Sequence, residues 1–291
     1  SHLRNNELTQ ALSVFAEILN GQRERHGKRS LQAAMAMHNL GVVCMRCGRY
    51  VDTVRLCDAA SRIRVDKLGE DHLDVAVSLS QQGVALMELK EYDVALASFE
   101  EALRIRHVAY GRERPHHPLI VRLLNNIGCA LFEKDQLEES RLTFENALKM
   151  QRRLMKAKKE DVVQESGVED GIDVNPKDVY QMPLSIALTL TNLGSIHLRL
   201  NELDKSLVCF EEAVLIQESV LGEDHKIVAN TKESIEFVIK SQDEERKKKA
   251  DESIKMERIT DMFSCVGYNE GKRICTKMQE LTCDPGDYNC D

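Results

Sequence analysis

The sequence predicts an all-α chain built as an α-solenoid of repeated helix-turn-helix units. One irregular series of spacings, 42, 45 and 66 residues, recurs at several positions, and the apolar residues within each copy follow a helical period. The series relates Gly41, Gly83, Gly128 and Gly194; Ala60, Ala102, Ala147 and Ala213; and Tyr50, Tyr92, Leu137 and Leu203. Stacked units of this length usually form binding surfaces rather than reaction centres.

Composition and charge narrow the class of protein. Charged residues make up 30% of the 291 residues, aromatic residues 4%, and the formal net charge is −8. An acidic chain is poorly suited to neutralise phosphates, so we predict no nucleic-acid partner. No apolar run approaches the ~18 residues of a membrane span, which predicts no membrane insertion. Nine cysteines, most of them within helical patterns, favour a reducing compartment, and we predict a cytoplasmic location, with the basic run 246–249 as a nuclear alternative.

The N-terminal segment, residues 1–28, matches only the second helix of a unit. Its apolar pattern from Asn6 to Leu19 aligns with second helices, and no partner helix precedes it. We expect a half-repeat helix or an N-terminal cap. The alternative is that the chain is a fragment of a longer protein.

Four full units are predicted within residues 29–240. In the second unit, the first helical pattern spans Leu73 to Leu89, and the second ends near Tyr110. A glycine inside a helix costs up to ~1 kcal/mol relative to alanine, so its recurrence predicts close approach of the two helices. We expect the space between them to be filled by Phe99, Phe144 and Phe210, with Cys57 as the smaller occupant in the first unit.

The links between units carry their own signature. The segment Leu68-Gly69-Glu70-Asp71-His72 recurs at residues 221–225. Glycine after a helix predicts a C-cap, and aspartate before the next helix predicts an N-cap. We expect the histidines of these links to belong to the helix starts rather than to act as ligands.

The array is interrupted once and then ends in atypical segments. An acidic insertion at about residues 157–180 predicts a flexible loop. A capping helix is expected from residue 226, since Glu236 stands where the other units have glycine. Residues 241–262 predict a charged helical extension, and residues 263–291 predict a disordered tail that contains cysteines.

These units resemble the tetratricopeptide repeat, in particular the 42-residue variant of kinesin light chains. The resemblance is carried by LNNIG and LTNLG around Gly128 and Gly194, by Ala95, Phe99 and Ala102, and by the LGEDH links. It covers roughly residues 3–240. It implies a right-handed solenoid in which the first helices line a concave face and the second helices a convex one.

The expected concave face contains side chains spaced three to four residues apart around each glycine. The candidate groove residues are Asn39, Gln81, Arg122, Asn125, Asn126, Asn192, Ser195, Arg199, Met45 and Met87. A carboxamide both donates and accepts, so the column Asn39, Gln81, Asn126 and Asn192 could pair with the backbone of an extended peptide. Asparagines in such helices hold peptide backbones in the family; the alternative is that they brace a neighbouring helix.

The sequence offers no pattern that predicts catalysis. Cys44 and Cys47 form a C-x2-C, but Cys44 falls at a core position, so we expect a structural cysteine and no metal site. The carboxylate pairs at 100–101 and 211–212 occupy equivalent places, which indicates a shared solvated face. We therefore predict no catalytic residue, no metal and no cofactor.

The predicted function is that of a non-catalytic scaffold that binds an extended peptide or a partner protein in the concave groove. The alternative is the regulatory or substrate-recruiting repeat region of a larger multidomain enzyme, or a kinesin light chain-like cargo adaptor. RNA binding is disfavoured because the chain is acidic and groove aromatics are scarce.

Overall fold

Ten α-helices follow one another in the part of the chain that the computed structural model describes. These parts are residues 2–110, 117–164 and 176–264, with side chains described over 7–110, 117–156 and 182–258. The helices are α1 (His2–His26), α2 (Leu31–Arg46), α3 (Tyr50–Leu68), α4 (Leu73–Glu88), α5 (Tyr92–Tyr110), α6 (Pro118–Glu133), α7 (Leu137–Gln164), α8 (Pro176–Arg199), α9 (Leu203–Leu221) and α10 (Lys226–Ser264). No strand occurs in these three stretches.

The chain divides into two compact units, Ser1–Ile235 and Glu236–Asp291. In the first unit, α2 packs on α3, α4 on α5, α6 on α7 and α8 on α9, and each pair packs on the next. The first helices of successive pairs, α2, α4, α6 and α8, also contact one another. This order of contacts confirms the predicted all-α repeat solenoid.

The two helices of each repeat meet at the recurring glycine. A Cβ added to Gly83 would lie 2.5 Å from a carbon of the Phe99 ring, and Phe144 and Phe210 stand in the same way over Gly128 and Gly194. In the first repeat the occupant is smaller, since the Sγ of Cys57 lies 3.3 Å from the corresponding position at Gly41. The predicted close approach is confirmed in all four repeats.

A hydrogen bond that the sequence did not reveal accompanies this contact in three repeats. The glycine carbonyl accepts a hydrogen bond from a hydroxyl on the second helix of the same repeat. Thr53 donates to Gly41 at 3.1 Å, Ser140 to Gly128 at 2.7 Å and Ser206 to Gly194 at 2.8 Å. The second repeat has Ala95 at this position, fully buried against the same core. The residue facing the glycine carbonyl is therefore small in every repeat.

The links between repeats cap both neighbouring helices. Gly69 and Gly222 end α3 and α9 with positive φ angles of 93° and 85°, as predicted for C-caps. The prediction of aspartate as the N-cap is wrong. The N-cap is His72, whose Nδ1 accepts from the backbone N–H of Asp74 at 3.1 Å, while Asp71 forms an ion pair with Arg104.

The same histidine cap occurs at the start of two other helices. His117 caps α6 and His225 caps α10, each through Nδ1 accepting a backbone N–H two residues ahead, at 3.1 and 3.2 Å. The imidazole thus replaces the more common carboxylate or hydroxyl cap. The expectation that these histidines are structural is confirmed.

The turn inside each repeat places one residue in the left-handed region. Gly48, Lys90, Asp135 and Asn201 follow the repeat spacing and have φ angles of 72°, 62°, 62° and 57°. Only the first repeat uses glycine, the residue that adopts this conformation without steric cost. The other three repeats therefore carry some backbone strain at this turn.

The insertion and the C-terminal segments differ in part from the prediction. Helix α7 continues to Gln164 and α8 begins at Pro176, so the flanks of the expected loop are helical, while residues 165–175 lie outside the described part. Helix α10 begins at Lys226, and Lys232 pairs with Glu218 of α9 at 2.6 Å. In the second unit, residues 246–258 are exposed, and the tail 265–291 lies outside the described part.

Among the helices described, none is both long and apolar enough to cross a membrane.

Gly83→Ala should lower the free energy of unfolding by about 1–3 kcal/mol, because the new methyl group would overlap the Phe99 ring. Gly41→Ala is the matched control. The nearest atom to its Cβ is the Cys57 sulfur at 3.3 Å, followed by the Leu56 Cβ at 3.6 Å, and alanine gains up to ~1 kcal/mol of helix propensity. Urea denaturation should therefore show a large loss for the first variant and little change for the second; equal losses would contradict the contact described.

Lys90→Gly should raise the free energy of unfolding by about 0.5–1 kcal/mol, because the lysine is held at a φ of 62° that glycine adopts freely. The reverse change at the equivalent position, Gly48→Ala, should lower it by a similar amount. Thermal and urea unfolding of both variants measure the effect. If the free energy of unfolding changed in the same direction in both variants, the strain at this turn would be refuted.

Candidate functional site

The ten predicted groove residues lie on four first helices that contact one another in order. Asn39 and Met45 are on α2, and Gln81 and Met87 are on α4. The remaining six are Arg122, Asn125 and Asn126 on α6, with Asn192, Ser195 and Arg199 on α8. We call the solvent-facing side of these helices the first-helix surface, and the structure shows which of the ten side chains reach it.

The amide column contains three side chains with no partner among the described residues. Asn39 is exposed, Gln81 and Asn126 are half-buried, and none of the three makes a hydrogen bond within the described part of the chain. Asn192 differs, because its Nδ2 lies 3.8 Å from the Sγ of Cys129 on the neighbouring α6. Three successive repeats thus present an open carboxamide on the first-helix surface.

Asn125 is turned into the protein, although its neighbour Asn126 is not. Asn125 is 8% exposed, and its Oδ1 accepts from the hydroxyl of Thr189 on α8 at 3.2 Å. Gln151 extends this network, since its Nε2 lies 3.1 Å from the Thr189 hydroxyl and 3.1 Å from the Ser185 carbonyl. The contacts of Asn125 therefore serve the packing of the third repeat on the fourth.

Two other predicted residues are also engaged within the protein. Ser195 donates to the carbonyl of Thr191 one turn earlier at 3.0 Å. Arg199 donates to Asp135 at 2.7 Å and lies over the Phe132 ring, with its Cζ 4.9 Å from the centroid. Arg199 thereby links the ends of α8 and α6, and its guanidinium still offers exposed N–H groups because the residue is exposed.

Apolar side chains surround the open amides. Met45 and Met87 are half-buried at equivalent places, and Met35 and Leu188 are each 56% exposed. Exposed thioether and aliphatic groups next to carboxamides form a surface that can take up apolar side chains while pairing with a backbone.

Arg122 and Arg46 are cations of this surface without an acidic partner in the described residues. The Arg122 side chain reaches solvent, yet desolvation by surrounding atoms lowers its pKa, and repulsion from Arg106 lowers the pKa further. Arg122 stays charged at neutral pH because a guanidinium is a very strong base.

Sequence analysis missed a polar column in the second helices, although it obeys the same spacing series. Its members are Arg64, Arg106, Gln151 and Gln217, all at most 6% exposed. Arg64 donates to the carbonyl of Asp74 at 2.8 Å and to the hydroxyl of Ser78 at 2.6 Å, and Gln151 uses the equivalent carbonyl and hydroxyl on α8. Arg64 and Gln151 thus connect their repeats to the first helix of the next, whereas Arg106 donates to Tyr110 of its own helix at 3.4 Å and Gln217 to Thr191 of its own repeat at 3.5 Å.

Among the described cysteines, Cys44 and Cys57 are buried and Cys129 is half-buried. Cys44 is 3% exposed, and burial raises its pKa. Burial also raises the pKa of Cys57 to about 12 and that of Cys129 to about 11. Thiolate is the reactive form, so these side chains are inert near neutral pH. Within the described residues, no three His, Cys, Asp or Glu side chains are grouped as metal ligands would be.

Asn125→Ala should lower the free energy of unfolding by about 0.5–1.5 kcal/mol, because it removes the buried hydrogen bond from the Thr189 hydroxyl to Asn125, while the Ser185 carbonyl at 3.0 Å still accepts from that hydroxyl. Asn126→Ala, one residue further on, should stay within about 0.5 kcal/mol, since that side chain has no described partner. Urea denaturation of the two variants tests the assignment. A loss for Asn126→Ala as large as for Asn125→Ala would show that both asparagines are structural.

Comparisons with known proteins agree on the repeat. Residues 32–107 match one model of the tetratricopeptide repeat, and residues 121–158 and 186–225 match a second. Together the matched residues make up more than half of the 291-residue chain. No curated protein sequence matches the chain significantly.

Three solved structures with similar folds illustrate the likeness. BtubC (BKLC) from P. vanneervenii has a TM-score of 0.61 at 16% identity, covering 98% of this chain and 97% of that one. RapI in its apo form has a TM-score of 0.59 at 17% identity, covering 96% of this chain and 93% of that one. The third structure is a variant of a putative kinesin light chain from Podosopora anserina with nearly identical TPR-like repeats. It has a TM-score of 0.57 at 15% identity, covering 74% of this chain and 89% of that one. At these identities the likeness shows the fold alone.

Proposed function

The chain belongs to the tetratricopeptide repeat family, and from that premise we propose that it is a non-catalytic scaffold whose first-helix surface binds an extended peptide segment of a partner protein. Repeat arrays of this kind present long surfaces to which each unit contributes a few side chains. A linear ligand suits such an array because its own residues are also evenly spaced.

The observation that carries the proposal is the column of open carboxamides. Asn39, Gln81 and Asn126 project from three successive first helices and make no hydrogen bond within the described residues. An extended peptide needs both donors and acceptors along its length, and a primary amide supplies one of each. If the column served only to brace helices, these groups would be paired as Asn125 is with Thr189.

The neighbouring side chains supply the rest of such a surface. Met45, Met87, Met35 and Leu188 offer apolar contact that adapts to the ligand. The surface is not uniformly charged, because Arg199 is paired with Asp135 and Glu133 accepts from Tyr92 at 3.3 Å. Affinity should therefore depend on hydrogen bonds and apolar burial, with charge acting at specific points.

The experiment selects peptides from a random 12-residue display library on the immobilised protein and measures their affinity by fluorescence anisotropy. The double variant Asn126→Ala, Asn192→Ala should weaken binding by about 30-fold, since two hydrogen bonds of about 1 kcal/mol each are lost. Glu100→Ala, which removes an exposed side chain of the second helix α5, is the matched control and should leave affinity unchanged.

The proposal would be refuted if the selected peptides bound the double variant and the native protein equally well. Circular dichroism and urea denaturation of each variant show whether the fold is intact, so a loss of binding can be assigned to the surface. Sensitivity of binding to Glu100→Ala but not to the asparagine changes would place the ligand on the second helices instead.

A further inference from the structure

Helix α1 has the pattern of a second helix, but no first helix packs on it as its repeat partner within the described part of the chain. Residues 6–22 align with residues 201–217 of α9, and Phe15 takes the place of Phe210. Helix α1 packs on α2, as each second helix packs on the first helix that follows it, and no other described helix makes an extended contact with α1.

Side chains at positions that are buried in the other repeats are open to solvent on α1. In the alignment, Ile18 takes the place of the alanine column, which comprises Ala60, Ala102, Ala147 and Ala213. All four alanines are fully buried, whereas Ile18 is 42% exposed, and Val14 one turn before it is 52% exposed. Terminal repeats of such arrays normally turn a polar face to solvent, so this aliphatic face is expected to have a partner.

The open side of α1 carries residues at the spacing of a coiled-coil seam. They alternate by four and three residues and are Glu7, Ala11, Val14, Ile18, Gly21 and Arg25, here called the α1 seam. This alternation is the one by which two helices pack along their whole length. At a rise of 1.5 Å per residue, the α1 seam is about 27 Å long.

An antiparallel pair of α1 helices, related by a two-fold axis at Ala16, brings complementary positions of the α1 seam together. Val14 of each copy faces Ile18 of the other, so four exposed aliphatic side chains leave water at the centre. Ala11 faces Gly21 on either side of this centre, and such small residues let the two helix backbones approach closely.

Gly21 supports this close approach independently. Glycine lowers the stability of a helix interior, and the φ angle of Gly21 is not positive, so the backbone conformation does not require it. Each of the four recurring glycines of the first helices lies against a side chain, whereas a Cβ at Gly21 would meet no atom within 4 Å. The space over Gly21 is therefore free for a helix that belongs to another molecule.

The two ends of the α1 seam carry opposite charges. Glu7 and Arg25 are both exposed, and neither forms an ion pair within the described residues. In the antiparallel pair, Glu7 of each copy lies opposite Arg25 of the other. A parallel pair would place like charges together at both ends, which is unfavourable. The charges thus select the antiparallel arrangement.

We propose that α1 is a dimerisation helix and that its partner is the α1 helix of a second copy of this chain, packed antiparallel along the α1 seam. The interface is isologous, because both copies contribute the same surface. It is small, so we expect a dissociation constant of about 10 µM, weaker than that of an obligate dimer. The inference does not depend on peptide binding, since α1 contributes nothing to the first-helix surface. A dimer would present two such surfaces to a partner with two binding segments.

The first test is sedimentation equilibrium of the full chain at concentrations from about 1 to about 200 µM. The mean mass should rise from that of one chain to that of two, with its midpoint near the dissociation constant. A chain that stays monomeric throughout this range overturns the inference. Growth beyond two copies also overturns it, because a two-fold interface is closed.

Apolar-to-acidic variants locate the interface. Val14→Glu and Ile18→Glu each place two carboxylates at the centre of the pair and should raise the dissociation constant at least about 30-fold. Val208→Glu and Leu215→Glu are matched controls, since these side chains of α9 are 61% and 67% exposed, and they should stay within about twofold. Urea denaturation of each variant confirms that the fold is intact. Dimerisation that withstands both α1 variants, or that the α9 variants weaken equally, contradicts the α1 seam.

Charge reversal tests the direction of the helices. Arg25→Glu places a carboxylate opposite Glu7 at both ends of an antiparallel pair and should raise the dissociation constant about tenfold at low salt, and less at high salt. The double variant Glu7→Arg, Arg25→Glu exchanges the charges and should restore the native value within about twofold. In a parallel pair the single change leaves the number of like-charge contacts as it was. An unchanged dissociation constant in Arg25→Glu, or no recovery in the double variant, would therefore overturn the proposed pairing.

Discussion

The approach of two helices at a glycine is the constraint on which the rest of this structure depends. In three repeats a phenylalanine ring occupies the volume that a Cβ would need, and in the first repeat a cysteine does so at a longer distance. The hydroxyls of Thr53, Ser140 and Ser206 then reach the carbonyl of the same glycine. The angle and spacing within each repeat follow from this contact, and so does the alignment of the first helices that form one surface.

The contacts between repeats are less uniform than those within them, so the side chains at these interfaces differ from one repeat to the next. The column that starts at Arg64 uses arginine twice and glutamine twice, and it finds a hydroxyl on the next helix at Ser78 and Thr189 but not at Leu123. A repeat protein can vary such positions because each interface involves only neighbouring units. The second repeat has a buried cation, Arg106, at this position.

The residues that maintain the fold and those that we propose to bind a ligand lie in different columns of the same helices. Asn125 and Asn126 are adjacent in sequence, but one is 8% exposed and paired with Thr189, while the other is open. Consecutive residues of a helix point about 100° apart, so a single step separates the inter-repeat interface from the first-helix surface. Substitution on the surface can therefore change a partner without changing the array, which is why one family serves many ligands.

The sequence by itself determined the repeat, its spacing, the glycine and phenylalanine contacts and the glycine C-caps, because these depend on local periodicity and on residue size within one unit. Only the tertiary structure decided that histidine rather than aspartate caps the helices, that Asn125 is buried, and that Arg106 lacks the partner its equivalents have. The reason is that each depends on which side chain the neighbouring repeat places opposite. The extent of α7 and α8 into the insertion was likewise beyond sequence periodicity, since charged residues can continue a helix that needs no buried face.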